Sequence, residues 1–373
     1  MAVALAPLGS LSEHDAQAPQ LSPLSPATSL ARDQNDLRPG WFSDHRKRCM
    51  RILIVGAGAI GGYFGGRLLE AGQDVTFLVR PKRAAELATS GLTIRSRLGD
   101  VQIPRPSTIL AGDLYEPFDL VILSTKAYDL EDAITSFAPA VGPSTAVLPL
   151  LNGMRHLALL DQRFGPAHVL GGECFIGVTL NQNREIVHLN EFHELAYGER
   201  DGSRSGRAEA IAAAMAKARF NARLSTTIVQ EMWEKWVFIA SAAITCLMRA
   251  SVGDIQAAGG ADLASGLLEE CAAIAAGEGY TPRSDAMERN RKTLTAAGSA
   301  LTSSMFRDME QRLPIEADHI VGDLLRRGEK HGITTPILRL LYVHLKSYER
   351  RRERETEAAR SVRLEGHGEL VQK

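Results

Sequence analysis

The chain has 373 residues, a formal net charge of -1 at pH 7 and 45% hydrophobic residues. This length accommodates two ordinary domains, and the near-zero charge argues against a protein whose main task is to bind nucleic acid. No run reaches the roughly 18 apolar residues of a membrane span, and the four cysteines show no disulfide or zinc spacing, so we expect a protein of the reducing cytoplasm.

The first 49 residues differ in composition from the rest of the chain. Pro, Ser, Ala and Gln dominate, and no hydrophobic periodicity is present, which predicts a disordered leader over residues 1–49. No basic segment precedes an apolar run, so a secretory signal is not expected. Because Met50 directly precedes the first predicted strand, a native start at Met50 is a hypothesis. An intact mass beginning at Met50 would support it, and a mass that includes Met1 would contradict it.

A glycine-rich turn follows the first predicted strand, residues 51–55. Its residues are Gly56, Ala57, Gly58, Ala59, Ile60 and Gly61. A helix is predicted over residues 63–71 and a second strand over residues 74–79. In that context Gly56 permits the tight turn, Gly58 lets backbone N–H groups approach a pyrophosphate, and Gly61 lets the helix pack closely on the sheet. The pattern predicts a dinucleotide site, and the alternative is a glycine-rich loop without a ligand.

The residue after the second strand indicates which nucleotide binds. Sites that prefer NAD usually place Asp or Glu there to hold the ribose 2′-hydroxyl. This chain has Arg80, followed by Lys82 and Arg83. A guanidinium pairs with a 2′-phosphate, so we predict NADPH as the cofactor. The alternative is a solvated basic loop.

Residues 50–226 are predicted to form a Rossmann-type doubly wound parallel sheet with helices on both faces. We predict a helix at 82–89, a hairpin at 92–103, buried strands at 118–124 and 145–150, and further strands at 169–197 that extend this sheet, with a turn at 181–184. Ligands bind at the carboxyl ends of parallel strands, so Lys126 and Asn152 are predicted to lie where cofactor and substrate meet. Either residue could instead cap backbone in a loop.

Residues 227–350 are predicted to form an all-helical domain, followed by a charged tail at 351–373. Thr227 and Gln230 resemble a capping box at the start of a central buried helix that we predict to run to Ala250. Pro336 is expected to open another helix. We expect the helical domain to end near Tyr348, and the charged segment beyond it to be a solvated helix end followed by disorder.

Lys235 lies near the start of the buried helix, beside Trp233 and Trp236. Partly apolar surroundings lower the pKa of a lysine ammonium and suit it to donate a proton near neutral pH. The alternative is a lysine that extends from a helix end to the surface. Glu316, taken alone, is typical of a carboxylate in the first turn of a helix.

Six separate motifs, in the same order, resemble the ketopantoate reductase family over residues 50 to about 350. They are 56–61 (Gly-Ala-Gly-Ala-Ile-Gly), 124–127 (Ser-Thr-Lys-Ala), 151–154 (Leu-Asn-Gly-Met), 232–235 (Met-Trp-Glu-Lys), 303–308 (Ser-Ser-Met-Phe-Arg-Asp) and 315–320 (Ile-Glu-Ala-Asp-His-Ile). The resemblance implies NADPH-dependent reduction of a 2-oxo acid to its 2-hydroxy acid, in a cleft between a Rossmann domain and a helical domain.

The resemblance also implies roles for individual residues. Lys235 matches the proton donor, which stabilises the developing alkoxide while NADPH supplies hydride to the keto carbon. Lys126 and Asn152 match residues that contact cofactor and substrate. Ser304 matches a ligand of the substrate carboxylate, and Glu316 matches the acidic residue at the nicotinamide end.

The chain departs from the family one and two helical turns after the lysine. Ile239 and Ala243 stand where the family typically has asparagines that face the substrate, and neither can hydrogen-bond a substrate oxygen. Arg249 could offer a replacement clamp for the carboxylate. We therefore expect the reductase chemistry to be retained, and the substrate to be a point at which this chain can differ.

Three hypotheses remain open. The first is a 2-dehydropantoate 2-reductase of pantothenate biosynthesis, and the second is a reductase or alcohol dehydrogenase acting on another 2-oxo acid or ketone. The third is a catalytically silent NADPH-binding sensor, against which the joint presence of Lys126, Asn152, Lys235 and Glu316 argues. The expected partners are a small-molecule 2-oxo acid and a second copy of the chain in a homodimer, with neither nucleic acid nor a membrane.

Overall fold

The computed structural model of the chain describes residues 49–370. The predicted leader lies outside the described residues apart from Cys49, and so does the end of the charged tail, residues 371–373. Of the helices that are described, none is both long enough and apolar enough to cross a membrane.

Ten strands form two five-stranded sheets within the described residues. In chain order they are β1 (Arg51–Val55), β2 (Asp74–Leu78), β3 (Leu92–Arg95), β4 (Val101–Ile103), β5 (Ser107–Ile109), β6 (Leu120–Leu123), β7 (Ala146–Pro149), β8 (Gly171–Leu180), β9 (Ile186–Gly198) and β10 (Asn221–Leu224).

The first sheet has the order β5-β2-β1-β6-β7, and all its strands are parallel. Strands β6 and β7 are continuous apolar runs. All residues of β6 and β7 are buried, as expected of a parallel sheet covered on both faces. The predicted Rossmann-type fold with a helical C-terminal region is confirmed.

The prediction that residues 169–197 extend this sheet is wrong. β8 and β9 form a long antiparallel hairpin in a second sheet, in which β9 also pairs in parallel with β3 and β10, while β4 pairs with β3. Val169, just before β8, forms a parallel bridge with Val147 of β7. Beyond that bridge the start of β8 lies close against β7, since a Cβ on Gly172 would come within 2.6 Å of the Pro149 carbonyl oxygen.

Thirteen α-helices complete the described part of the chain. They are α1 (Ala59–Glu70), α2 (Pro81–Ser90), α3 (Leu130–Phe137), α4 (Arg155–Phe164), α5 (Gly206–Met215), α6 (Ile228–Ala242), α7 (Ile244–Met248), α8 (Val252–Ala257), α9 (Ala261–Gly277), α10 (Ser284–Leu294), α11 (Ser304–Glu310), α12 (Asp323–Lys330) and α13 (Pro336–Leu370). The first five alternate with strands, and the last eight form the C-terminal region.

The central helix is shorter than predicted, because α6 ends at Ala242 and a separate α7 follows. The hydroxyl of Ser241 donates to the Val237 carbonyl at 2.7 Å, and that of Thr245 donates to the Ala242 carbonyl at 2.8 Å. Such side-chain bonds compete with the helical backbone pattern where the two helices meet. Arg249, with a left-handed φ of 55°, then ends α7.

One prediction about a helix start is also wrong. No capping box forms at Thr227, whose hydroxyl donates instead to the Glu231 carboxylate at 3.0 Å. Helix α13 continues past Tyr348 to Leu370, so the charged segment begins as a helix end, as predicted. Within this segment, Arg351 pairs with Glu355 one turn later at 2.6 Å, a spacing that supports a solvated helix.

Two tryptophans anchor α6 inside the C-terminal region. Trp233 and Trp236 are buried, with ring centroids 4.9 Å apart, and Trp236 Nε1 donates to the Ile320 carbonyl at 2.8 Å. Ile320 belongs to a π-helical turn, Asp318–Gly322, that leads into α12. These contacts fix the helix that carries Lys235.

Candidate functional site

A cavity of about 1510 Å³ is lined by residues of the Rossmann-type sheet and by residues of the helical C-terminal region. Its walls come from the glycine-rich turn, the carboxyl ends of strands in the first sheet, β8, α6 and the segment 301–320. Most of the predicted site residues line it, namely Gly56, Ala57, Gly58, Ala59, Ile60, Arg80, Lys126, Asn152, Lys235, Ser304 and Glu316. Gly61 and Arg249 are the two that do not.

The glycine-rich turn has the geometry of an anion site. Gly56 has a φ of 95°, a left-handed conformation that favours glycine. A Cβ added to Gly58 would meet no atom within 4 Å, whereas one on Gly61 would lie 2.1 Å from the Gly56 carbonyl oxygen. Gly61 is therefore needed for the packing of α1 beneath the turn, and Gly58 is needed only if something approaches from the cavity.

The N–H groups of residues 58–61, at the start of α1, donate to no described residue. Free N–H groups at a helix N-terminus, together with the helix dipole, favour a bound anion. The open space over Gly58 and these unused donors fit the pyrophosphate of a dinucleotide.

Arg80 lines the cavity, with 70% of its side chain exposed. Its guanidinium donates to Asp129 at 2.8 Å, and this hydrogen bond raises the pKa of Arg80. Arg83 is more buried, and its Nε donates to the Ala57 carbonyl at 3.1 Å. Burial lowers the pKa of Arg83. Both arginines therefore lie beside the glycine-rich turn.

Lys126, which follows β6, contacts Glu316 of the C-terminal region. Lys126 Nζ lies 3.0 Å from an Asp308 carboxylate oxygen and 3.3 Å from one of Glu316, whose other oxygen accepts from the Ala127 N–H at 3.0 Å. Burial disfavours the ammonium, but the two carboxylates outweigh it and raise the pKa of Lys126. Glu316 is thus more than a first-turn helix carboxylate. Sequence reasoning did not assign a role to Asp308.

Asn152 follows β7 in a turn that is held against the C-terminal region. Gly153 has a φ of 76°, and a Cβ there would lie 3.0 Å from the His319 carbonyl oxygen. His319 stacks on the fully buried His156 with ring centroids 5.7 Å apart. Burial lowers the pKa of both histidines. The stacked imidazole rings that support the turn of Asn152 are therefore uncharged.

Lys235 is partly buried in the cavity wall, and its ammonium has no hydrogen-bond acceptor or ion-pair partner among the described residues. Glu173, on β8, lies near enough to Lys235 for the charges of the two side chains to interact. Burial raises the pKa of Glu173, and the positive charge of Lys235 opposes that rise. One Glu173 carboxylate oxygen is buried without a partner among the described groups. The lysine is therefore held by packing, with its ammonium free to contact a ligand.

Ser304 is the first residue of α11 and is exposed to the cavity. The preceding Ser303 caps this helix by accepting from the Phe306 N–H at 3.1 Å. Arg307 also lines the cavity, and sequence reasoning missed it. Its spacing of three residues from Ser304 was the available signal, because residues three apart share a helix face.

The structure separates the two positions at which the chain departs from the family. Ile239 lines the cavity beside Phe238, whose ring lies 6.1 Å from that of Phe175. Ala243 is fully buried and does not line it. Of the two positions, only Ile239 therefore lines the cavity.

Arg249 is not brought together with the other site residues, contrary to our expectation. It follows the end of α7, with half of its side chain exposed. Its guanidinium forms an ion pair with Glu310 and lies 5.9 Å from the ring centroid of Phe306. A role as a carboxylate clamp inside the cavity is therefore not supported.

Two family models match this chain. "Ketopantoate reductase PanE/ApbA" matches residues 52–202, and "Ketopantoate reductase PanE/ApbA C terminal" matches residues 227–349. The chain belongs to the ketopantoate reductase family. An uncharacterized oxidoreductase of Bacillus subtilis, YkpB, is 38% identical over 302 residues, which cover 80% of this chain and 99% of the relative.

Solved structures agree with this family. The crystal structure of a 2-dehydropantoate 2-reductase from Geobacter metallireducens is similar with a TM-score of 0.73 and 29% identity, over 80% of this chain and 99% of that chain. A D-mandelate dehydrogenase solved with NADH and anilino(oxo)acetate has a TM-score of 0.74 at 21% identity, over 82% of this chain and 100% of that chain. At that identity the likeness shows the fold alone. The protein is thus an oxidoreductase of the ketopantoate reductase family.

Proposed function

We propose that this protein is an NADPH-dependent reductase that converts a 2-oxo acid into its 2-hydroxy acid, with Lys235 as the proton donor. The first candidate substrate is 2-dehydropantoate, which would place the enzyme in pantothenate biosynthesis. The observation that carries the proposal is the ammonium of Lys235, which has no ion-pair partner among the described residues and lies in the wall of the cavity that the glycine-rich turn also lines. Four free cysteines support a cytoplasmic location. A homodimer stays a prediction, which light scattering of the full chain would test.

The cofactor would lie along the glycine-rich turn. The unused N–H groups of residues 58–61 would hold its pyrophosphate, and the space over Gly58 leaves room for it. Arg80 and Arg83 favour the 2′-phosphate of NADPH over the free hydroxyl of NADH. When bound, NADPH supplies the hydride that reduces the keto carbon.

The chain's own residues supply the other half of the reaction. Lys235 would donate a hydrogen bond to the keto oxygen, stabilise the alkoxide as it forms and transfer a proton to it. General acid assistance of this kind contributes about 10²–10⁴-fold to the rate. Asn152 and Ser304 would hold the substrate, while Lys126 and Glu316, bonded to each other, would order the wall between cofactor and substrate.

A second candidate substrate is a 2-oxo acid with an apolar side chain. Phe175, Phe238 and Ile239 line the cavity near Lys235 and offer no side-chain hydrogen bond. A site with a polar group at this place would reject a substrate that lacks the matching hydroxyl, whereas an apolar wall discriminates mainly by size.

The test is NADPH oxidation by the purified full chain with 2-dehydropantoate, beside a panel of 2-oxo acids with apolar side chains. NADH is run in parallel. Efficient turnover of 2-dehydropantoate with NADPH would support the pathway assignment. Turnover of only an apolar 2-oxo acid would move the enzyme out of that pathway. Tight NADPH binding with no turnover of any acid would favour the silent sensor instead.

A further inference from the structure

The cavity contains cations that differ in whether a carboxylate already neutralises them. The cations that line it are Arg80, Arg83, Lys126, Arg184, Lys235 and Arg307. Four of them hold a carboxylate oxygen within 3.3 Å. Lys235 and Arg307 form no ion pair with any described residue. These two are therefore the cations of the cavity that no carboxylate of a described residue neutralises.

Arg307 has unused donors. One terminal nitrogen donates to the Thr302 carbonyl at 2.8 Å and lies 3.5 Å from its hydroxyl, and the other nitrogens bond to no residue in the described part of the chain. A guanidinium carries five N–H donors in a planar fork that matches a carboxylate. The neighbouring acid, Asp308, is engaged with Lys126. Burial lowers the pKa of Arg307, and the charge of Asp308 opposes that shift.

We propose that Arg307 binds the carboxylate of the 2-oxo acid, so that the adjacent keto oxygen faces Lys235. The inference rests on the proposed function and adds its specificity determinant: a requirement for a negative charge next to the carbonyl. Ser304, three residues earlier on α11, contributes a neutral hydroxyl at the same wall. Cofactor phosphates are the less favoured partner, because Arg80 and Arg83 lie beside the free N–H groups of α1.

The test compares charged and neutral substrates in Arg307→Gln and Arg307→Lys. Both replacement side chains can still donate to the Thr302 carbonyl. The substrates are the best 2-oxo acid of the panel and its primary amide, which keeps the keto group and removes the charge. For Arg307→Gln we expect the KM of the acid to rise about 10- to 100-fold, because a charge-assisted bidentate contact is lost. Arg307→Lys should recover part of this loss.

The kcat/KM of the amide and the Kd of NADPH should stay within about twofold of wild type, because neither depends on a carboxylate contact. Arg249→Gln is the matched control. It removes a guanidinium of the same C-terminal region that lies outside the cavity, and it should leave the KM of the acid, the kcat/KM of the amide and the Kd of NADPH unchanged.

Binding of oxamate, a 2-oxo acid analogue that resists reduction, to the NADPH complex gives a readout independent of turnover. Arg307→Gln should weaken oxamate by the same factor as it raises the KM of the acid. Equal losses for acid and amide would show a structural role, and a weakened NADPH complex would assign Arg307 to the cofactor. Either result, or unchanged oxamate binding, overturns the proposal. If wild type bound oxamate through Arg307 but reduced no acid, the proposed function would fail while the anion site stood.

Discussion

Gly58→Ala separates cofactor binding from folding. The added methyl group would meet no atom of the chain within 4 Å, and it would extend into the space that faces the cavity. The backbone at Gly58, with φ of -82°, suits alanine as well as glycine. Loss of the flexible glycine favours the folded state, while alanine is a poorer N-cap, so the two effects should cancel to within about 1 kcal/mol.

The effect on NADPH follows from the donors beside Gly58. A hydrogen bond to a charged group contributes about 1.5–3 kcal/mol, so displacement of the pyrophosphate from one N–H group should raise the Kd of NADPH about 10- to 150-fold. Titration of the intrinsic fluorescence with NADPH measures this, and thermal unfolding of the free protein checks the fold.

Gly206→Ala is the matched control. Gly206 also lies at the start of a helix, α5, where a Cβ would meet nothing within 4 Å, but it does not line the cavity. It should not lower the Tm, since alanine suits the first turn of a helix, and it should leave the Kd unchanged. If Gly58→Ala bound NADPH as tightly as Gly206→Ala, the dinucleotide would not approach this turn, and the reasoning would be refuted.

Three further predictions concern stability. Gly61→Ala should lower the free energy of unfolding by about 1–3 kcal/mol or more in a urea titration, because its Cβ would lie 2.1 Å from a backbone oxygen; an unchanged midpoint would contradict this packing. Trp236→Phe should cost about 1–3 kcal/mol in the same titration, since the Ile320 carbonyl loses its buried donor. Burial raises the pKa of Glu173 above its ordinary value of about 4.5. The protonated carboxyl therefore favours the folded state below pH 4.5, and this contribution is lost as the pH rises through the pKa that Glu173 has in the folded protein. Glu173→Gln should therefore gain Tm relative to wild type between pH 4 and pH 7, and a constant difference would argue against the burial of an ionised carboxylate.

The glycine-rich turn could be predicted because the residues that determine its conformation are neighbours in the sequence. Strand, turn and helix occupy consecutive residues, and each glycine has its own steric reason that sequence spacing reveals. The same applies to residues placed directly after a strand, such as Lys126 and Asn152, since the ends of parallel strands meet at one edge of a sheet.

The second sheet could not be predicted in the same way. Its pairing of β9 with β3 joins Ile186 to Ile94, and nothing near either residue in sequence encodes the partner. The contact of Lys126 with Asp308 spans 182 residues and depends on how the C-terminal region packs against the sheet. The end of α6 at Ala242 was missed as well, because periodicity alone predicted a continuous helix. Ala243 is buried outside the cavity, which sequence spacing from Lys235 did not reveal.

The most direct test of the central claim is the rate of 2-oxo acid reduction by Lys235→Ala. Because the ammonium of Lys235 has no ion-pair partner among the described residues, its removal leaves no unpaired charge in the wall. We predict a kcat at least about 100-fold below wild type, with the Kd of NADPH within about twofold. A variant that retains full kcat would contradict the assignment of Lys235 as the proton donor.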